Sequence, residues 1–329
     1  MMNIGLIGFG YWGPNVAKNL HLNPEIKLKW ICDTEKDRLN KAAEIYINET
    51  KYTSNYKDIL NDSEIDVVAI ALGTSAHFMF AKEVLLSNKH VYVEKPFTSS
   101  VEEAEELKKL AAKLQLKIHV NHIMVYHPII KKIKSLIDSN EIGDILYIDA
   151  MRMNLGQIRN DVSAMWDLAV HDLTIIDFLA NGQEPKQISS MGENFYNPKE
   201  TLSFLNIKYQ TFISHIQSSW ISPLKERKLI IVGSKKMIVF DDMKHSEKLM
   251  VYDKGVDVIS GSNVEYDDYA VKTREGDIWI PFIKQEDALY NSIESMRLSI
   301  LNDVDTLTGP DQAIRVQRIL EQADSKMNK

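Results

Sequence analysis

Three groups of residues have the types and spacing to do chemistry. The first is Gly8-x-Gly10-x-x-Gly13 in GLIGFGYWGPN, between an apolar run at residues 3–8 and a helical stretch at Asn15–Leu20. In that setting the first glycine permits the tight turn. The second lets a pyrophosphate approach the backbone, and the third lets helix and strand pack closely. N–H groups at the helix start then face the phosphates. Pro14 sits where a missing N–H costs least. Twenty residues beyond Gly13, Asp33 closes the next apolar run. A carboxylate there accepts from the adenosine ribose hydroxyls and repels a 2′-phosphate, which favours NAD over NADP. Lys36 and Arg38 stand close enough in sequence to soften that preference. The second group is Glu94-Lys95-Pro96, at the exit of the apolar run VYV. Taken alone, a charged pair at a strand end reads as a solvated turn. The third group is Asp167 and His171, four residues apart in a helical pattern and hence on one face of a regular helix. Such a pair is either a surface contact or an acid–base couple.

The elements that must carry these groups have two grammars. Up to residue 121, short apolar runs (3–8, 27–33, 65–72, 90–94 and 116–121) alternate with helical patterns. The clearest helix is predicted at 101–115, with apolar residues at 101, 104, 107, 110, 111 and 114 and a capping box of Ser100 and Glu103. That alternation implies βαβ units and a parallel, doubly wound sheet, an α/β Rossmann domain over residues 1–121. From residue 122 to 329 the pattern is α+β. A helix ends near Gly143, a strand spans 145–154, a helix runs from Trp166 to Leu179, and strands follow over 187–196, 202–209 and 211–220. A hairpin is predicted over Arg227–Asp241, around Gly233-Ser234. This half is read as a substrate and oligomerisation domain with a mostly antiparallel open sheet. An uncovered sheet face would leave apolar surface in water, so a homodimer or homotetramer is expected.

Bulk properties exclude several classes. The 329 residues are 44% hydrophobic, enough for a sizeable core, and the formal net charge of −7 argues against a nucleic-acid binder. The single cysteine, Cys32, lies in an apolar run and excludes an internal disulfide. No run approaches the length of a membrane span and no secretory leader is visible, so a cytoplasmic protein without membrane partners is expected.

A fingerprint at residue 8, a strand ending in Glu-Lys-Pro and a change to an antiparallel half together resemble the Gfo/Idh/MocA oxidoreductase family over essentially the whole chain. EKPFTSSVEEAEEL (94–107) matches the family's segment, and MWDLAVHDLTIIDFL (165–179) matches its second signature. The chain departs from the pattern at Ala169, where a glycine is usual, and at Thr174, where an aspartate is usual. It offers Asp172 instead, a variant associated with the nucleotide-sugar branch. NHIMVYHP (121–128) lacks the arginine of the family's corresponding segment.

The resemblance implies a set of roles. Lys95 stands beside the nicotinamide at the carboxyl edge of the sheet, on a Lys-Pro bond that is often cis, and Lys95, His171 and Asp167 form the catalytic set. Gly8, Gly10, Tyr11, Trp12, Gly13, Asp33, Thr74, His77, Glu94 and Lys95 hold the cofactor. Within that set Glu94 serves the nicotinamide ribose, and His77 either touches the cofactor or caps a helix. Asn121, Arg152, Asn154 and Arg159 join Lys95, Asp167 and His171 around the substrate, because arginine forks match phosphates and carboxylates. A lysine is ordinarily protonated at neutral pH. The like charge of an oxidised nicotinamide about 4 Å away opposes that by roughly 4 kcal/mol at an effective dielectric of about 20. Either Lys95 or His171 is then the base, with Asp167 holding the substrate or orienting the histidine. No third metal ligand is evident beside Asp167 and His171, and hydride transfer to NAD needs no metal. The implied reaction is NAD-dependent oxidation of C3 of a UDP-linked N-acetylhexosamine or its uronic acid for surface-polysaccharide precursors. A free cyclitol dehydrogenase of the inositol type and a non-catalytic NAD-binding regulator are the alternatives.

Overall fold

Short apolar strands are buried on both faces when helices cover both sides of a sheet, and in the first half of the chain Val67–Ile70 and the run 91–93 are buried at every residue. The computed structural model describes residues 1–47, 50–160, 162–196, 198–258 and 271–327. Its elements are β1 (Met2–Ile7), α1 (Gly13–Leu22), β2 (Ile26–Cys32), α2 (Lys36–Ile45), β3 (Lys51–Thr53), α3 (Lys57–Asn61), β4 (Val67–Ile70), α4 (Thr74–Leu86), β5 (His90–Val93), α5 (Val101–Leu114) and β6 (Ile118–Val120). There follow α6 (Pro128–Asp138), β7 (Ile145–Leu155), α7 (Val170–Leu179), β8 (Gln187–Glu193), β9 (Leu202–Lys208), β10 (Ile213–Ser219) and β11 (Ile221–Gly233). The chain continues through β12 (Met237–Asp241), β13 (Leu249–Val258), β14 (Val271–Trp279), α8 (Ala288–Leu301) and α9 (Pro310–Met327). Two units emerge: Met1–His127 with Glu286–Arg318, and Pro128–Gln285 with Ile319–Lys329.

In the first unit six strands pair in parallel in the order β3-β2-β1-β4-β5-β6. The order reverses between β1 and β4, and open α/β sheets bind ligands outside the carboxyl ends of the strands at such a switch. Alternate residues of each strand feed two apolar layers. Ile70, Val91 and Val93 pack with Ala81, Leu85, Ala104 and Leu107 of α4 and α5. Ala69 and Tyr92 point the other way and pack with Val16 and Leu20 of α1 and with Leu289, Ile293 and Met296 of α8. This explains a correction to the expected division at residues 121 and 122. The second layer is completed by a helix from the far end of the chain, so residues 286–318 belong with the Rossmann sheet. At the start of α5, Ser100 accepts from the Glu103 N–H as predicted, while the Glu103 carboxylate accepts from Ser99 N rather than Ser100 N.

The second unit carries an eight-stranded sheet, β14-β13-β12-β11-β7-β10-β9-β8, antiparallel except where β10 runs parallel to β7. The predicted hairpin is present: Val232 pairs with Met237, and Gly233 N donates to Lys236 O. Along β7, Ile148, Ala150 and Arg152 are buried, whereas Tyr147 stands on the opposite face across from Ile213 of β10, 36% and 49% exposed. Among the described residues no helix is long and apolar enough to cross a membrane.

Candidate active site

The glycine loop passes a steric test for a dinucleotide. Gly8 has φ +97°, and a Cβ on it would strike the Ala71 carbonyl. A Cβ on Gly13 would strike the carbonyl of Gly8 where α1 leaves the loop. Packing therefore requires both glycines. Gly10 is different, since a Cβ there would meet nothing closer than the Arg38 guanidinium at 3.7 Å. No internal contact demands glycine at that position. The open approach over the loop is what a pyrophosphate needs, so the residues present fit NAD. Trp12 is the N-cap of α1 and gives it no side-chain cap, and the Asn15 and Val16 N–H groups donate to its carbonyl. Tyr11 is almost fully exposed beside it. Asp33 follows the last residue of β2 directly. Its carboxylate accepts from Phe9 N at 2.7 Å and Glu35 N at 2.9 Å, and Arg38 lies 3.4 Å from both oxygens. The aspartate thus also pins the glycine loop, and part of its charge is offset by Arg38.

The carboxyl edge of β5 carries the second group. The sheet ladder runs on past the strand ends: Glu94 N donates to Ile70 O, and Asn121 N donates to Val93 O at 2.8 Å. Glu94 and Asn121 are thereby brought side by side, and Asn121 Nδ2 donates to Glu94 Oε1 at 2.7 Å. Lys95 follows, half-buried, on a cis Lys95-Pro96 bond. Burial pushes the Glu94 carboxyl up to about 7, against the opposing pull of Asn121, Lys95 and the Trp12 indole. Two expected ligand contacts are reassigned here. His77 is fully buried on α4, with Nδ1 2.8 Å from Pro96 O and Nε2 3.1 Å from Leu72 O. Burial lowers its pKa more than the carbonyls of Pro96, Leu72 and Phe97 raise it. Both partners are carbonyl oxygens, which only accept. His77 therefore ties the strand exit to the β4–α4 loop and offers no face to a cofactor, while Thr74 opens α4, half-buried. Asn121 is 1% exposed, and its amide is engaged at both ends by Glu94 and Ser292.

The third group lies in the second unit. Asp167 sits in a π-helical turn, Met165–Ala169, and His171 in α7, which starts one residue after that turn. The π-turn changes the local hydrogen-bond register just ahead of His171. Asp167 accepts from Arg159 Nη1 at 3.3 Å. The turn is anchored by the Trp166 indole, which donates to Asp324 at 3.1 Å. Arg152 departs furthest from expectation. It points into the core of the unit, 8% exposed, and its guanidinium donates to both oxygens of Asp172 at 2.8 and 3.0 Å. Burial opposes its charge, but the Asp172 carboxylate outweighs burial and raises its pKa. The fork that a phosphate would use is filled, and Asp172 is committed with it. Asn154 stands half-buried near the end of β7, and Arg159 is exposed.

Residues 2–122 match the oxidoreductase family model of the NAD-binding Rossmann fold named GFO_IDH_MocA, and residues 130–239 match the GFO/IDH/MocA C-terminal domain. The chain belongs to the Gfo/Idh/MocA oxidoreductase family. It is 28% identical over 200 residues to the uncharacterized oxidoreductase YrbE of Bacillus subtilis, spanning 59% of this chain and 58% of that protein's length. It is 24% identical over 228 residues to the inositol 2-dehydrogenase of Salmonella typhimurium, 65% of this chain and 68% of the relative. Identity is also 24%, over 263 residues, to the UDP-N-acetylglucosamine 3-dehydrogenase of Acidithiobacillus ferrooxidans, 79% of this chain and 80% of the relative. The solved structure of that last enzyme, GnnA, shares the fold with a TM-score of 0.80 at 22% identity, covering 99% of this chain and 97% of its own.

Glu94 of this Gfo/Idh/MocA chain has a consequence for stability. Its carboxyl is raised from 4.5 to about 7 in the folded state. Between those values the folded protein holds a proton that the unfolded chain releases, so stability falls as pH rises through that window, by up to about 3 kcal/mol. Glu94→Gln keeps an acceptor for Asn121 and removes the titration. Denaturant melts should show the variant level with wild type near pH 4.5 and more stable at pH 8. An equal difference at both pH values would mean that Glu94 does not titrate in this range.

Proposed function

We propose that the protein is an NAD-dependent dehydrogenase that oxidises C3 of a UDP-linked N-acetylhexosamine or its uronic acid, acting in the cytoplasm and supplying a 3-oxo sugar to an aminotransferase. The strongest support is the likeness to the Acidithiobacillus ferrooxidans UDP-N-acetylglucosamine 3-dehydrogenase, which runs through both domain types and four-fifths of that enzyme. Lys95, Asp167 and His171 are all present with it. Hydride acceptance is the chemistry that NAD supplies when bound. The chain's own residues manage the proton. Lys95 or His171 takes it from the sugar hydroxyl as the carbinol C–H leaves with its electron pair, and Asp167 holds the substrate or the histidine. Asp33 sets a preference for NAD over NADP. The exposed outward face of β7 and β10 supports a homodimer or homotetramer.

One observation favours a second reading, a cyclitol dehydrogenase of the inositol type. With the Arg152 fork filled by Asp172, Arg159 is the remaining arginine of the set expected to meet a diphosphate. The two readings separate in one assay. Purified protein with NAD should reduce it in the presence of UDP-N-acetylglucosamine or its uronate, faster than with NADP, and should not do so with myo-inositol or glucose. The reverse pattern would replace the nucleotide sugar by a free one.

A further inference from the structure

Behind the catalytic strand end runs a chain of hydrogen bonds whose members come from β5, β6 and the distant helix α8. Asn121 Nδ2 donates to Glu94 Oε1 at 2.7 Å, Ser292 Oγ donates to Asn121 Oδ1 at 3.0 Å, and His119 Nε2 lies 2.9 Å from Ser292 Oγ. Asn121, Ser292 and His119 are each no more than 1% exposed. We propose that Asn121, oriented by Ser292 and His119, is the positioning residue that fixes the Glu94 carboxyl beside Lys95, so that α8 governs the charge state of the catalytic edge. The proposal takes its catalytic meaning from the dehydrogenase reading of Lys95.

The sense of the chain follows from counting protons. An ionised carboxylate only accepts, so the amide must turn its NH₂ to Glu94 and its oxygen to Ser292. Ser292 has one proton and gives it to that oxygen. His119 must then donate through Nε2, which leaves its Nδ1 as a bare lone pair. The structure agrees, since Nδ1 is buried with no hydrogen-bond partner among the described residues. Burial, with His122 adding to it, pushes the His119 pKa down to about 3, so the ring is neutral. The ring is stacked on Tyr92 at 5.4 Å between centroids, with Tyr126 at 5.7 Å. The reversed chain would need a protonated Glu94 donating to the amide oxygen, and would put the His119 proton on Nδ1. A buried N–H without an acceptor is a costly group. His119 thus locks the direction that favours an ionised Glu94, against the burial that favours a neutral one. The groups whose charge or hydrogen bonds act on Glu94 are Asn121, Lys95 and the Trp12 indole, and Tyr92 of β5 feels the Glu94 charge in turn. Helix α8 presents the neutral Ser292.

Ser292→Ala tests this, because it removes the donor that holds the Asn121 oxygen and frees the amide to turn. Glu94 protonation is read by the infrared carbonyl stretch of a neutral carboxyl, identified by its loss in Glu94→Gln and followed over pH with NAD bound. The titration in Ser292→Ala should move up by about one pH unit, and the acid limb of the kcat/KM profile should move with it. Ser292→Thr, which keeps the hydroxyl, should titrate as wild type. A Ser292→Ala protein that melts earlier but titrates unchanged would reduce the chain to ordinary packing and overturn the proposal. The infrared readout needs no turnover. A shifted titration in a protein that oxidises no sugar would uphold the positioning role and count against the dehydrogenase reading instead.

Discussion

Lys95→Met should lower kcat by about 10²–10⁴-fold, the usual contribution of a positioned proton-transfer group, and leave NAD affinity essentially unchanged. On the proposed reading, cofactor affinity comes chiefly from the glycine loop, where Gly8 and Gly13 are fixed by packing and Gly10 leaves the approach open. It draws also on Asp33, which is tied to Phe9 N. Lys95, expected at the nicotinamide end, stands apart from these adenosine and pyrophosphate contacts, so steady-state turnover and a fluorescence titration with NAD should separate. Wild-type kcat in the variant would remove the end of β5 from the chemistry and leave His171 to supply the base.

The second large effect is on stability. Arg152→Ala leaves Asp172, 3% exposed, without the guanidinium that satisfies both of its oxygens. Breaking one side of a buried pair costs about 3–5 kcal/mol, which for a unit of this size lowers Tm by roughly 10 °C. Calorimetry should show that drop. A variant that melts like wild type but has a KM for UDP-sugar raised about tenfold would return Arg152 to the substrate.

How much of this was legible in the sequence varies with the kind of signal. The glycine loop, Asp33, the apolar strands and the capped helix α5 follow from local spacing, and the structure has all of them. The placement of α8 against Tyr92 and Ala69 does not, because no period within 288–301 says which sheet its apolar face will meet. The strands β13 and β14 lie in charged, mixed sequence, where alternation is weak. Residue type misled most at Arg152. An arginine before a signature helix reads as a ligand for anions, and only the register of β7 shows that it points inward onto Asp172. His77 and Asn121 are similar, in that each was placed at the correct edge of the sheet and turns out to hold other residues there. The role of Ser292 had no signal at all, since a serine in the middle of an amphipathic helix is unremarkable until its hydroxyl is seen against Asn121.

The closure of the second Rossmann layer by Leu289, Ile293 and Met296 has a temporal side. Residues 128–285 are synthesised between the strands and the helix that covers them. At about 5–20 residues per second that interval is roughly ten to thirty seconds. During it Tyr92 and Ala69 have only the α1 part of their cover, and one face of the nascent nucleotide-binding sheet is incompletely closed. The dinucleotide-binding half is therefore among the first parts made and among the last completed, and a chaperone would meet it in that window.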